Sequence, residues 1–188
     1  MINLEKLTHC KPAFGFFAQT LTYPEKRDFQ PDLFNGAFDP SSPGYESAKA
    51  YWEQIHGFSM EKIEEAYVET FDFDKHSTLY MTFPKFGDTK ERGQMLARLK
   101  VMYEMFGLQM PEEELSDYLP LMCEFIYAAE WEDDSHAEES FRMFIAVLED
   151  GTFHLLNALK ENESPYYHLV KSLRDTVKSC IIEGSEKA

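Results

Sequence analysis

The chain has 188 residues, 44% hydrophobic and 28% charged, which suits one folded domain with a sizeable core and excludes a disordered chain. Its formal net charge of −16 argues against nucleic acid as a partner, because phosphate binding needs a basic surface and the few basic clusters, such as KERG (90–93) and Arg98–Lys100, sit among acids. No apolar run approaches the roughly 18 residues that span a bilayer, and the opening MINLEKLTHCKPAF lacks a basic segment followed by an apolar one, so a soluble, cytoplasmic protein without stable membrane insertion is expected.

The chain reads as helical almost throughout, since strict alternation and hairpin signals are scarce. AFGFFAQTLTYPEK predicts a first helix that ends before Tyr23–Pro24. Residues 27–44, rich in Pro, Gly, Ser and Asp, predict a long, flexible connection. Tyr45, Ala48, Tyr51, Trp52 and Ile55 then recur at helical spacing, and Gly57 stops that helix. Ser59 opens the next, with Met60, Ile63, Tyr67 and Phe71 on one stripe. TKERGQMLARLKVMYEMFGLQ is the clearest amphipathic helix: Met95, Leu96, Leu99, Met102, Tyr103 and Phe106 line one side and Gly107 ends it. Beyond an acidic linker, EWEDDSHAEE, two helices are expected to be separated by Asp150–Gly151. A last one follows, with Ser164 as N-cap and Pro165 at its first position. The expected fold is an all-α, single-domain bundle of about seven or more helices.

The stretch EEELSDYLPLMCEFIYAAEW, residues 112–131, carries the most specific pattern. A proline inside a helix costs about 3 kcal/mol. That cost is avoided if Asp117 is the N-cap, because Pro120 then falls in the first turn, where N–H groups have no intrahelical acceptor. At about 100° per residue, Leu119, Met122, Cys123, Ile126 and Ala129 form a core face flanked by Tyr118 and Phe125. Asp117, Leu121, Glu124, Ala128 and Trp131 gather opposite. This second stripe would suit a partner helix offering apolar and basic side chains. A large bundle can also bury both faces, making Leu121 and Trp131 ordinary core, and Asp117 can be a cap alone.

Signals for catalysis or metal binding are weak. Glu53–His56 supplies one E-x-x-H motif, but a di-iron bundle needs two. Cys10, Cys123 and Cys180 include no Cys-x-x-Cys pair, and His9–Cys10 is the only tight Cys/His pair, so reduced, buried thiols are expected rather than zinc. No nucleophile elbow and no phosphate-binding glycine motif occurs, and the acids single out no catalytic pair.

Three ordered landmarks between Ala66 and Ala129 carry a resemblance. The first is EAYVETFDF, with Tyr67, Phe71 and Asp72. The second is STLYMTFPKFGDTKERGQML, with Ser77, Leu79, Arg92 and Gly93. The third, YEMFGLQMPEEELSDYLPLMCEFI, has Tyr103, Gly107, Leu108, Glu114, Leu115, Asp117, Leu119, Pro120, Glu124 and Phe125 in place. Over about a third of its length the chain resembles the NarJ family of nitrate reductase assembly chaperones, within the TorD-like molybdoenzyme maturation chaperones. FFAQTLTYPE is similar to the family's first helix. Ser116, Tyr118 and Lys90 depart from the family's usual proline, histidine and arginine, which bears on which reductase is served.

The resemblance implies an all-helical, non-enzymatic, cytoplasmic chaperone without a cofactor of its own. It would bind the N-terminal segment of an apo molybdenum oxidoreductase catalytic subunit, hold it for cofactor insertion and delay membrane assembly or export. Glu114, Asp117, Tyr118, Leu121, Glu124 and Trp131 are the candidate client contacts, with Tyr67 and Arg92 either lining the groove or buttressing the fold. For Arg92 an intramolecular ion pair is the competing role. A helical-bundle metal-binding protein or enzyme using carboxylates, and a plain helical adaptor, are the alternatives. Oligomeric state is open between monomer and dimer.

Overall fold

The computed structural model describes residues 1–131, 134 and 136–182. Ten α-helices occur among them, with two isolated bridges and no strand, as the sequence predicts for an all-α domain. In chain order the helices are α1 (Leu4–His9), α2 (Lys11–Thr20), α3 (Pro31–Ala37), α4 (Tyr45–His56), α5 (Met60–Phe71), α6 (Phe83–Phe86), α7 (Lys90–Met105), α8 (Leu119–Ala128), α9 (Ala137–Glu161) and α10 (Tyr167–Ser179). The α2–α8 pair forms the largest helix–helix contact, and α10 packs against both α4 and α9. At the centre, the Phe125 ring lies 4.8 Å from Tyr103, 5.2 Å from Phe144 and 5.7 Å from Phe141. Each such fully buried side chain contributes about 1.5–3 kcal/mol.

Local signals act where the sequence places them. Ser59 Oγ accepts from the Lys62 N–H and opens α5. Gly107, at φ +81°, follows the C-cap of α7. The Leu108 N–H returns to the Tyr103 carbonyl at 2.9 Å and the Gly107 N–H to Glu104 at 3.2 Å, a Schellman closure that needs a left-handed residue.

Three expectations are corrected. Asp150–Gly151 does not split the chain: α9 runs unbroken for 25 residues. A Cβ on Gly151 would lie 2.6 Å from both Cβ and the carbonyl oxygen of Met81, so this glycine serves close packing inside a helix. The connection over 27–44 contains α3, whose Phe34 is buried, and Phe38 just after it is buried too. Their rings sit 6.0 and 5.3 Å from Phe16 of α2. α10 begins at Tyr167, and Ser164 instead accepts from the Tyr166 N–H in the preceding turn, with Pro165 outside the helix.

Candidate functional site

The entry to α8 is built differently from the expectation. Its N-cap is Tyr118, in extended conformation, and Pro120 falls within the first turn, where it forfeits no hydrogen bond. The Leu119 N–H is instead satisfied by the Leu79 carbonyl at 2.8 Å, and the Met81 N–H donates to the Asp117 carbonyl at 2.9 Å, around the Tyr80–Tyr118 bridge.

Asp117 is therefore neither a cap nor a surface acid. Its side chain is fully buried, and its Oδ2 accepts from the Thr82 N–H (3.1 Å), the Thr82 hydroxyl (2.5 Å) and Arg92 Nη2 (3.3 Å). Arg92 Nε also donates to Thr82 Oγ1 at 3.1 Å, and its guanidinium lies 5.3 Å from the centre of the Phe83 ring. The intramolecular ion pair is thus the role Arg92 plays in the structure. It ties α7 to α8 through the 79–82 segment.

Leu121 and Trp131 are 5% and 2% exposed, so the opposite stripe is not an exposed apolar edge. The physical reason is that α8 is covered on two sides. The Trp131 ring meets Phe141 of α9 at 4.8 Å, and Lys11 of α2 crosses its face at 4.1 Å. Tyr67 is buried as well: its hydroxyl donates to the Leu21 carbonyl at 3.2 Å, and burial, with Tyr118 nearby, drives its phenol pKa well up. Asp117, Trp131 and Tyr67 are thus buried, and Arg92 is turned inward with 12% of its side chain exposed.

The remaining candidates do share a surface. Glu114, Tyr118, Leu121 and Glu124, together with Pro111, Glu113 and Pro120, line a cavity of about 390 Å³ against Ala18 and Thr22 of the α2 segment. A second cavity, of about 510 Å³, continues it between α2, α3 and α8 and is walled by Phe16, Gln19, Leu33, Ala37 and Tyr127. Ala18, Thr22 and Glu124 line both, so the two form one groove. Among the described residues lining it, the rim carries Asp32, Glu113, Glu114 and Glu124 against one cation, Arg27, which is itself 3.0 Å from Glu25. Glu114 is held in place by the Tyr80 hydroxyl at 3.1 Å and the Leu115 N–H at 2.9 Å. Burial first, and the neighbouring Glu114 second, push the Tyr80 phenol up to about 12.

The contribution of α2 is what sequence reasoning missed. Gly15 lets the Tyr127 ring approach to where a Cβ would stand, at 2.9 Å, and Tyr127 remains half exposed at the groove wall. The available signal was the pair of small residues Gly15 and Ala18, three apart on one helical face amid phenylalanines. The groove combines apolar walls with polar Gln19 and Thr22 and an acidic rim.

Among the described residues, no group of three or more His, Cys, Asp or Glu side chains is placed to hold a metal ion. Both ring nitrogens of His56 in the E-x-x-H motif face backbone carbonyls, those of Trp52 and Phe29, at 2.8 and 3.1 Å. No helix among the described residues is long and apolar enough to cross a membrane.

The family described as "Nitrate reductase delta subunit" matches residues 39–169. The Bacillus subtilis (strain 168) protein named "Probable nitrate reductase molybdenum cofactor assembly chaperone NarJ" is 38% identical over 123 residues, which is 65% of this chain and 63% of that protein. From Escherichia coli (strain K12), the protein named "Probable nitrate reductase molybdenum cofactor assembly chaperone NarW" is 30% identical over 62% of this chain and 48% of its own length. NarJ of the same strain, named as a nitrate reductase molybdenum cofactor assembly chaperone, is 33% identical over 53% of this chain and 39% of its own. The chain thus spans less than two thirds of these relatives, all of them named as assembly chaperones. With the family match running from α4 into α10 and the all-α architecture in agreement, the chain belongs to the nitrate reductase delta subunit family, as the NarJ-like landmarks of its sequence led one to expect.

Proposed function

We propose that this protein is a cytoplasmic, non-enzymatic assembly chaperone for a nitrate reductase-like molybdenum oxidoreductase. The α2–α8 groove holds the N-terminal segment of the apo catalytic subunit while the molybdenum cofactor is inserted, before membrane assembly or export. The observation that carries the reading is the continuous groove with apolar walls and four acids on its rim, centred on Glu124. The chaperone names of its relatives support the role and point to a nitrate reductase as client.

A short amphipathic basic helix fits this chemistry. Its apolar side chains would bury against Leu33 and Tyr127, each Leu-sized group contributing about 1.5–3 kcal/mol before ordering costs. Glu113, Glu114 and Glu124 would fix its direction and raise its on-rate.

Calorimetric titration with N-terminal peptides of molybdenum oxidoreductases tests the proposal. Binding is expected to weaken at least tenfold, about 1.4 kcal/mol, in both Glu124→Lys and Tyr127→Ala, with the fold retained because Glu124 is exposed and Tyr127 half exposed. It should weaken further with added salt. If no such peptide binds, or if both variants bind as tightly as the parent, the groove is not the client site.

A further inference from the structure

Cys10 and Cys180 stand 170 residues apart in the chain, yet their sulfurs lie 3.9 Å apart, both buried, with the Cys180 thiol donating to the Cys10 sulfur. Cys10 sits at the junction of α1 and α2, and Cys180 is the C-cap of α10. The backbone closes around them. Asn3 N–H donates to the Cys180 carbonyl at 2.8 Å, Ile182 N–H to the Met1 carbonyl at 2.8 Å, and Ile2 bridges Ile181. This closure keeps the two sulfurs side by side. A disulfide bond needs them to approach by only about 1.9 Å more, a side-chain adjustment.

We propose that Cys10 and Cys180 form a thiol–disulfide exchange site, where a low-molecular-weight disulfide oxidises the pair to an intramolecular bridge tying the first helices to the last. The inference is independent of the client groove. Cys10 is the attacking sulfur. The thiol of Cys180 foremost, then the Ser179 hydroxyl and the charges of Lys6 and His9, favour its thiolate against the opposing effect of burial. Hydrogen bonding to Cys10, then burial, holds Cys180 as the protonated partner. Cys123 stands alone in the core, where burial pushes its pKa up and leaves it inert.

The Cys10 thiolate attacks one sulfur of R–S–S–R, forming a mixed disulfide and expelling RS⁻. Cys180 then loses its proton to the expelled thiolate and attacks the Cys10 sulfur, expelling the second RS⁻, which takes up the proton first lost by Cys10. The net change is two protein thiols oxidised and one small disulfide reduced to two thiols. Entry is at the Ile2–Ile181 bridge, whose local opening uncovers Cys10. In a reducing compartment the pair rests as thiols and responds to an oxidising shift.

The full chain is equilibrated in glutathione buffers from reducing to oxidising, quenched in acid, unfolded, alkylated and weighed by mass spectrometry. Reduced protein should take a label on each of its three cysteines. Oxidised protein should take one label, on Cys123, keep monomer mass, and yield a linked Cys10–Cys180 peptide. The bridged form should melt about 5–10 °C higher than the reduced form. Cys180→Ser should stop at a glutathione adduct on Cys10. Full labelling at the most oxidising ratio, a bridge using Cys123, or a bridge between two copies would overturn the proposal. All three are read on the unsubstituted chain, so a variant that fails to fold cannot hide them.

Discussion

Removing the Asp117 carboxylate separates a scaffold role from a client role. In Asp117→Ala, the Thr82 N–H, the Thr82 hydroxyl and one arm of Arg92 lose their common acceptor inside the protein. Breaking a buried pair from one side costs about 3–5 kcal/mol. The lower end applies, because the Arg92 side chain keeps 12% exposure and lies 3.6 Å from Asp88, which water and this exposed acid can exploit. About 3 kcal/mol in a chain of this length corresponds to a melting-temperature loss of roughly 7 °C. Asp117→Asn is the companion. All three contacts fall on Oδ2, while Oδ1 has no hydrogen-bond partner among the described residues. An asparagine oxygen at the first position keeps the acceptor but points an amide N–H at a buried site without one, for about 1–2 kcal/mol. Urea unfolding followed by circular dichroism measures both. Coupling should appear in the double variant Asp117→Ala with Arg92→Met as at least about 1 kcal/mol of non-additivity. An Asp117→Ala variant that stays within about 0.5 kcal/mol of the parent, the scale of an ordinary surface change, while losing client peptide would refute the scaffold role.

Two further outcomes follow from packing and burial. Gly151→Ala should destabilise by about 2–3 kcal/mol despite alanine's better helix propensity, because its Cβ meets Met81 backbone atoms, which cannot swing aside; denaturant titration showing a gain would contradict the close approach. Six tyrosines, Tyr51, Tyr67, Tyr80, Tyr103, Tyr118 and Tyr166, have phenol pKa values raised first by burial. Raised folded values mean that the unfolded chain loses these protons first. Their stabilising effect is therefore complete below the ordinary value of 10.0 and drains away as pH climbs past it, toward about 12 for Tyr80 and higher for Tyr67. Alkaline titration should show tyrosinate absorbance rising cooperatively with loss of helix, and ionisation of all ten tyrosines in a still-folded chain would refute it.

The helical class was legible because it rests on local signals summed over long windows: apolar spacing, the Ser59 cap and the Gly107 stop. What escaped depends on partners distant in sequence. Glycine in a helix usually marks an end, and only the Met81 backbone, seventy residues away, explains Gly151 inside α9. A wheel drawn for α8 distinguishes two faces but cannot count how many neighbours cover them. With α2 on one side and Phe141 of α9 on another, Leu121 and Trp131 become core. Pro120 did fix the start of α8, yet to within one residue only. That one residue turned Asp117 from a cap into the buried acceptor of Arg92.

The landmark residues that carry the family resemblance bear on where client choice resides. Tyr103, Asp117, Leu119, Pro120 and Phe125 are buried, and Arg92 is nearly so. Tyr103 donates to the Ser116 carbonyl at 2.5 Å, Ser116 donates to the Leu96 carbonyl at 2.7 Å, and Leu119 answers Leu79. These side chains and backbone groups fasten α7, the 79–82 segment and the start of α8 into one block, which presents Glu114, Tyr118 and Glu124 at a fixed height above α2. A block of this kind specifies a platform whatever client it serves. If the groove holds a client as proposed, discrimination between clients is expected from groove residues outside the block: Gln19, Leu33 and Tyr127, together with Tyr118, where the NarJ-like landmark has a histidine. A tyrosine there exchanges a group that can be charged for a phenol half buried against Tyr80, at 5.4 Å between ring centres. On the proposed reading, that end of the groove is expected to prefer an apolar client residue to an acidic one. Tyr118→His should shift preference among client peptides while changing stability little, whereas the block residues should do the reverse.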